Sequence, residues 1–317
     1  MARRKFPKLD PGQARTTSLS KLPRLVRSRD FARPLEQGAS LGEFLDSLPA
    51  ILAARELREL ARAIALSHRA GRTVLLMSGA HALKTGLSPL IVDWLREGVL
   101  SALALNGAGM IHDFELAWAG RTSEDVGAGL SDGSFGMAEE TGAFLSSVAR
   151  QAAQEGRGLG EVAGREIVAA KLKFRALSVL AAAYEAGAPA TVHVALGTDI
   201  VHMHPKADGG AIGQATLTDF HRLTEVVATL SRGVVLNLGS AVILPEVFIK
   251  ALNLARNLGR RVDHLTTADL DFIRHYRPRV NVLQRPTAGD GRAIALTGHH
   301  EIMFPLLAAA VASELAG

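Results

Sequence analysis

Apolar positions along the chain recur in two rhythms. Between Leu52 and Ala70, the residues Leu57, Leu60, Ala61, Ile64 and Leu66 fall near one helical face and Gly71 follows as a stop, which predicts a helix. Beyond it, short apolar runs alternate with amphipathic stretches. The runs at 73–78, 99–105, 190–196 and 233–238 read as strands, with shorter ones near 262–266 and at 293–297. Helices are predicted near 87–97, 112–119, 136–154, 168–186, 214–230 and 245–258, and a closing helix from about 301. Strands that are apolar throughout belong to a parallel sheet covered by helices on both faces, so the fold class is α/β, doubly wound. Pro7, Pro11, Pro23, Pro34 and Gly38 interrupt residues 1–40, which read as an irregular arm with one short helix; residues 41–317 read as a single domain. The glycine-rich stretch 127–136 is expected to be a loop, and no internal repeat is present.

Composition sharpens this picture at three points. With 48% hydrophobic residues and 36 Lys and Arg against 31 Asp and Glu, the chain is globular in type, which excludes disordered and collagen-like classes. Its positive charge is concentrated: residues 1–34 hold ten Lys and Arg, beginning with Arg3, Arg4 and Lys5, against only Asp10 and Asp30, and the remainder is slightly acidic. A basic arm on a slightly acidic body can touch phosphates, a membrane or a neighbouring subunit equally well, or be a solvated tail, so nucleic acid is not the expected partner. The absence of cysteine removes disulfides, thiolate zinc sites and cysteine nucleophiles, so any metal must use His, Asp or Glu. No stretch approaches the ~18 apolar residues of a membrane helix, and the N-terminus lacks the apolar run of a secretory signal; a cytoplasmic protein with no membrane partner is expected.

In open parallel sheets ligands bind beyond the carboxyl ends of the strands, and that is where the polar residues gather. Ser78, Gly79 and His81 follow the first strand, Asn106, Gly107, Gly109, His112 and Asp113 the second, and Thr198, Asp199, His202 and His204 the third. Asn237, Gly239 and Ser240 end the fourth, Thr266, Thr267 and Asp269 the fifth, and Thr297, Gly298, His299 and His300 the last. LALNGAGMIHDFE runs from strand through a glycine turn into a helix, an arrangement that lets backbone N–H groups approach a phosphate or nucleotide; a helix capped for structural reasons has the same pattern. In TDIVHMHP, Asp199, His202 and His204 supply a carboxylate and two imidazoles, suited either to a divalent metal or to acid–base work. Glu139 and Glu140 read as a first helical turn that favours the helix dipole. Arg274, Arg277, Arg279 and Arg285 form either an anion-gripping or a solvated basic loop. No G-x-S-x-G elbow or P-loop is present.

Taken in order, the motifs over residues 70–317 resemble the deoxyhypusine synthase family. EIMFPLLAAAV is similar to its final helix, VVLNLGSAV to its glycine-rich turn, LTTAD to its Asn-Thr-Ala turn and ALGTD to its strand ending in Thr-Asp. The resemblance implies a Rossmann-like sheet, NAD, a homotetramer with sites between paired subunits, and an N-terminal segment able to cover the site entrance. It also implies that Asp113, Asp199, Gly239, Thr267 and Ala268 line the nucleotide pocket; turn geometry adds Asn106, Gly107, Gly109 and Ser240. The family reaction forms an imine on an enzyme lysine, yet no lysine follows Lys250 here, Pro245 stands about where the family has a histidine, and His299 replaces an acidic nucleotide contact. The expectation is therefore a transferase or oxidoreductase of changed reaction, using NAD on a small amine, polyamine or anionic metabolite, with His112, His202 or His204 as general base. Two alternatives stand beside it. One is a metal-dependent hydrolase or lyase whose divalent metal is held by Asp199, His202, His204, His299 and His300. The other is a nucleotide-binding protein without turnover.

Overall fold

A computed structural model describes residues 6–316, and Arg3, Arg4 and Lys5 of the basic arm lie outside the described residues. The arm from residue 6 to 40 carries three 3₁₀ turns, Pro11–Gln13, Leu19–Lys21 and Ser28–Asp30, in place of the expected short helix, and its prolines deny backbone N–H groups to any helix running through them. Its end is tied to the body by hydrogen bonds from Ala50 N to Asp30 O and from Arg33 N to Ser47 O, each 2.9 Å.

The body opens with helices α1 (Leu41–Ser47) and α2 (Leu52–Arg69), then β1 (Val74–Ser78), α3 (Ala80–Lys84), α4 (Ser88–Arg96) and β2 (Ala102–Asn106). It continues through α5 (Gly107–Ala119), α6 (Val126–Leu130), α7 (Glu139–Glu155), α8 (Leu159–Ala169), α9 (Val179–Glu185) and β3 (Ala190–His193). Then come α10 (Gly209–Val227), β4 (Val234–Leu238), α11 (Ile243–Asn257), β5 (Thr266–Asp271), β6 (Arg292–Thr297) and α12 (His300–Ala316). The six strands form one all-parallel sheet in the order β3-β2-β1-β4-β5-β6. The fold is α/β and doubly wound, and the chain reverses direction across the sheet between β1 and β4.

Alternation along each strand divides the core between the two faces. Val74, Leu76, Leu103, Leu105, Leu236 and Leu270 pack with α2, α4, α5 and α12, while Leu75, Met77, Ala104 and Val235 pack with α10, α11 and the segment around Val282. Among the described residues no helix is long and apolar enough to cross a membrane.

Four expectations are corrected. The helix foreseen at 168–186 is two helices, α8 and α9, because Lys171 takes a left-handed φ of 50° and Ser178 starts a new helix with its own cap. The strand foreseen near 262–266 is β5, displaced toward the C-terminus, and its TTADLD sequence hides it: Thr267, Asp269 and Asp271 are buried on one face of the pleat and Ala268 and Leu270 on the other. The arginine-rich loop contains a π-helical segment, Pro278–Gln284, and its cations are spent internally. Arg274 donates to Thr297 Oγ1 at 2.9 Å, Arg277 lies 3.2 Å from Glu246, and Arg285 donates to Asn281 at 2.7 Å. Finally, the glycine-rich stretch includes the short helix α6.

The β3 edge is closed by side chains of α10. Val192 N donates to Asp219 Oδ2 at 2.8 Å, Val194 N to Thr216 Oγ1 at 3.0 Å, and that hydroxyl donates to Val192 O at 2.9 Å, so these groups of the edge strand are satisfied and unavailable to another strand. Burial pushes the Asp219 carboxyl up to about 8, against the backbone hydrogen bonds it accepts from Val192, Gly160 and Leu159. The native state therefore keeps a proton that the unfolded chain releases near 3.8, and stability is lost as pH rises from that value through 8. Asp219→Asn, which keeps an acceptor oxygen and cannot ionise, is expected to flatten this dependence; urea melts of both proteins at pH 5 and pH 8 check it, the wild type losing more between them.

Candidate functional site

The carboxyl edge of the sheet carries two groups of polar side chains. On the β2–β3 side, α5 leaves the strand without a loop, and Asn106 Oδ1 accepts from Gly109 N at 2.9 Å as its N-cap. Gly107 is required there by close approach: a Cβ at this position would lie 2.0 Å from Asp199 Oδ2. The Asp199 carboxylate thus rests against the first turn of α5, in the position the sequence offered to a phosphate. Burial raises its pKa, opposed by the nearby charges of His202 and His112. His202 Nδ1 accepts from Asp199 N and from Gly197 N, both at 3.1 Å, which holds the turn bearing the carboxylate.

Beside Asp199 is a cleft of about 160 Å³, whose polar walls include Lys84, His112, Glu115, Glu124, Thr198 and Asp199 and whose outer wall includes Val126, just before the glycine-rich stretch, and Phe135 within it. Ala108, Ile111, His112 and Glu115 reach it together because i, i+3, i+4 and i+7 share one helical face. His112 Nδ1 lies 2.6 Å from Thr122 Oγ1, which in turn donates to Glu115 Oε2. Thr141 Oγ1 donates to the other Glu115 oxygen at 3.4 Å. Burial works to raise the Glu115 pKa, but hydrogen bonds and the charge of His112 outweigh it and the pKa falls. Three carboxylates against one lysine and one histidine make the cleft acidic.

The second group lies where β1, β4, β5 and β6 end. A Cβ on Gly79 would stand 2.4 Å from Gly239 O, and Gly239, at φ 65°, faces the His300 ring with only 2.6 Å to spare for a Cβ. Ser240 Oγ accepts from Leu244 N at 3.2 Å in the first turn of α11. The buried His300 shares a hydrogen bond of 3.2 Å between Nε2 and Leu270 O, while its Nδ1 has no partner. Burial lowers its pKa, with Asp271, 3.7 Å away, pulling the other way. His81 lies edge-on to His300 at 5.2 Å between ring centroids, and the exposed Phe272 and His299 stack at 6.2 Å. Asp269, raised to about 6 by burial, accepts from Asn237 Nδ2 at 2.8 Å.

Several sequence candidates lie elsewhere. Asp113 is fully buried and accepts from Ser178 Oγ at 2.5 Å, Val179 N at 2.7 Å and Leu180 N at 3.3 Å; it caps α9, and burial raises its pKa to about 6. Thr267 and Ala268 are buried inside β5, not in a turn at its end. His204 is buried against the α7 face at Gly142, 3.5 Å from Glu139, and does not line the cleft. Glu139 stands in the first turn of α7 and pairs with Lys206, in keeping with a charged first turn. The metal set does not assemble: Asp199 and His202 follow β3 and His299 and His300 follow β6, at opposite edges of a six-stranded sheet and so roughly 24 Å apart by strand spacing. Among the described residues no three His, Asp or Glu side chains converge to hold a metal ion.

Glu115, Asp271 and Phe272 were missing from the sequence-based site, and His81, collected beyond the first strand, was given no role there. Glu115 had a signal, as the i+3 neighbour of His112 on a predicted helix. Asp271 and Phe272 had none, because the strand they end was displaced.

No protein-family model and no curated protein matches this chain. Solved structures do. A protein assigned as a deoxyhypusine synthase from Entamoeba histolytica superposes with a TM-score of 0.53 at 11% identity, over 89% of this chain and 96% of that one. An arginine dihydrolase from the ornithine–ammonia cycle in cyanobacteria has a TM-score of 0.51 at 15% identity, over 83% of this chain. AgrE in a ternary complex with ornithine and NAD+ also has a TM-score of 0.51, at 13% identity over 84% of this chain. The chain spans only 33% and 34% of the lengths of these last two. At such identities the likeness concerns the fold, which is deoxyhypusine-synthase-like, as the motifs had implied.

Two substitutions separate structure from site. Gly107→Ala must displace Asp199 and is expected to cost about 1–3 kcal/mol, the usual range for overpacking. Asp113→Ala leaves buried donors of α9 unpaired, at about 1–3 kcal/mol each, without touching the cleft. Urea denaturation of the two variants against the wild type measures both losses.

Proposed function

We propose that the chain is an enzyme of deoxyhypusine-synthase-like fold that carries out NAD-dependent chemistry on a small amine. The observation that carries this reading is the size and charge of the cleft beside Asp199. At about 160 Å³ it has room for about five waters at ~30 Å³ each, far too little for a dinucleotide and enough for a short aliphatic amine. Its carboxylates favour a cation.

The ends of β1 and β4 fit the cofactor better than the Asn106–Gly109 turn does. Asp199 already fills the space at that turn, whereas beside Gly239 the unpartnered Nδ1 of His300 is a buried acceptor without a donor. Gly79, Gly239, Ser240, His81 and Phe272 would hold the dinucleotide, which when bound supplies a hydride acceptor. The chain's own residues do the rest. Asp199, with Glu124, binds the ammonium group and orients it. His112 takes a proton from that nitrogen, so that its lone pair can stabilise the adjacent carbon as the C–H bond breaks. Glu115 compensates the charge that His112 acquires. The reading also includes assembly into a homotetramer, supported by eight large apolar side chains exposed between Phe6 and Leu35.

Calorimetry with NAD and with 1,4-diaminobutane tests the reading. NAD at a hundredfold excess over its dissociation constant would also stabilise the fold by about 2.7 kcal/mol, visible in a melting scan. Asp199→Asn is expected to weaken the amine at least ~10-fold, about 1.4 kcal/mol, and to leave NAD affinity unchanged. Neither heat nor a melting shift with 1 mM NAD would end the redox reading.

A further inference from the structure

His112 meets two oxygen atoms at one ring nitrogen, and what those oxygens can do is limited. Thr122 Oγ1, 2.6 Å from His112 Nδ1, carries a single proton, and that proton goes to Glu115 Oε2. Glu115 cannot return one. Its carboxyl is held below the usual range by the hydrogen bonds and the charge of His112, which prevail over burial, and an ionised carboxylate only accepts. Its Oε2 also stands 3.6 Å from the same His112 Nδ1, a second acceptor facing that nitrogen. Its other oxygen receives the Thr141 hydroxyl at 3.4 Å, so Glu115 is held from two sides.

We infer that Thr122 is a positioning residue that fixes the tautomer of His112. With its proton committed to Glu115, the threonine oxygen can only accept, so neutral His112 must carry its proton on Nδ1. Nε2 is then the nitrogen with the free lone pair. The order of groups is that of a base oriented by a third group: Glu115 holds Thr122, Thr122 holds Nδ1–H, and Nε2 is left to take a proton. When it does, the resulting imidazolium has a hydrogen-bonded hydroxyl and a carboxylate on its far side, which stabilises the charge. The segment carrying Thr122 leads into the outer wall of the cleft, so the position of this wall and the proton on His112 are linked through one hydroxyl. The inference rests on reading His112 as the base of the cleft, but it concerns a proton position that can be observed without turnover.

Nitrogen-15 imidazole spectra of the full chain at neutral or higher pH provide the test, with the His112 resonances identified by their loss in His112→Gln. The expected pattern is a protonated-type Nδ1 and an unprotonated-type Nε2. Thr122→Val should shift both nitrogens toward averaged positions, and Thr122→Ser, which restores the hydroxyl, should return them. A wild-type His112 with its proton on Nε2, or a Thr122→Val spectrum identical to wild type, would overturn the assignment. The tautomer as described in a protein that binds no NAD would leave the relay standing and remove only the redox reading.

Discussion

The geometry of the cleft depends on one steric constraint, the absence of a side chain at residue 107. Because Gly107 has none, the Asp199 carboxylate can lie against the first turn of α5, and the turn between β3 and α10 is held over the end of β2. The helix then distributes its residues by its own periodicity. Ala108, Ile111, His112 and Glu115 face the cleft, while Asp113, about 100° round from His112, turns into the body and caps α9. Two neighbouring polar residues in sequence thus have unrelated surroundings, one facing the cleft and one capping a helix.

Buried carboxylates are common in this fold, and most of them are structural. Asp113, Asp219 and Asp269 all have pKa values raised by burial, and all three accept hydrogen bonds from groups that would otherwise be unpaired at a helix start, a sheet edge or a strand end. A raised carboxyl alone therefore does not mark a functional site here. Glu115 is distinguished by the opposite behaviour: its pKa is lowered despite partial burial, because His112 stands beside it and the Thr122 hydroxyl donates to it. That convergence supports the proposed base.

The carboxyl edge also separates two environments. The β2–β3 end is acidic and small, whereas the ends of β1 and β4 are lined by glycines with a buried unpartnered imidazole nitrogen beside them. The helix α3 spans the gap, since it begins immediately after Gly79 and its last residue, Lys84, lines the acidic cleft. A substrate and a dinucleotide held at these two places would meet over one short helix, which is the arrangement that the proposed chemistry requires.

The alternation of apolar strands with amphipathic helices was sufficient to determine an α/β, doubly wound class, since only a parallel sheet buried on both faces uses such strands. The gathering of polar side chains at strand ends was legible for the same reason, including that of Asn106, His112, Asp199 and His202 beyond β2 and β3. Strand β5 was not, because its polar face is buried under the π-helical segment and paired with Asn237, a satisfaction that no local pattern reveals. Nor could sequence spacing decide that His202 and His299 stand at opposite edges, or that Thr122, ten residues from His112, returns to bond it. Periodicity is a local property of the chain and is written in the sequence; which strand ends become neighbours, and which buried polar atoms find partners, follows from long-range contacts that exist only once the sheet has been ordered.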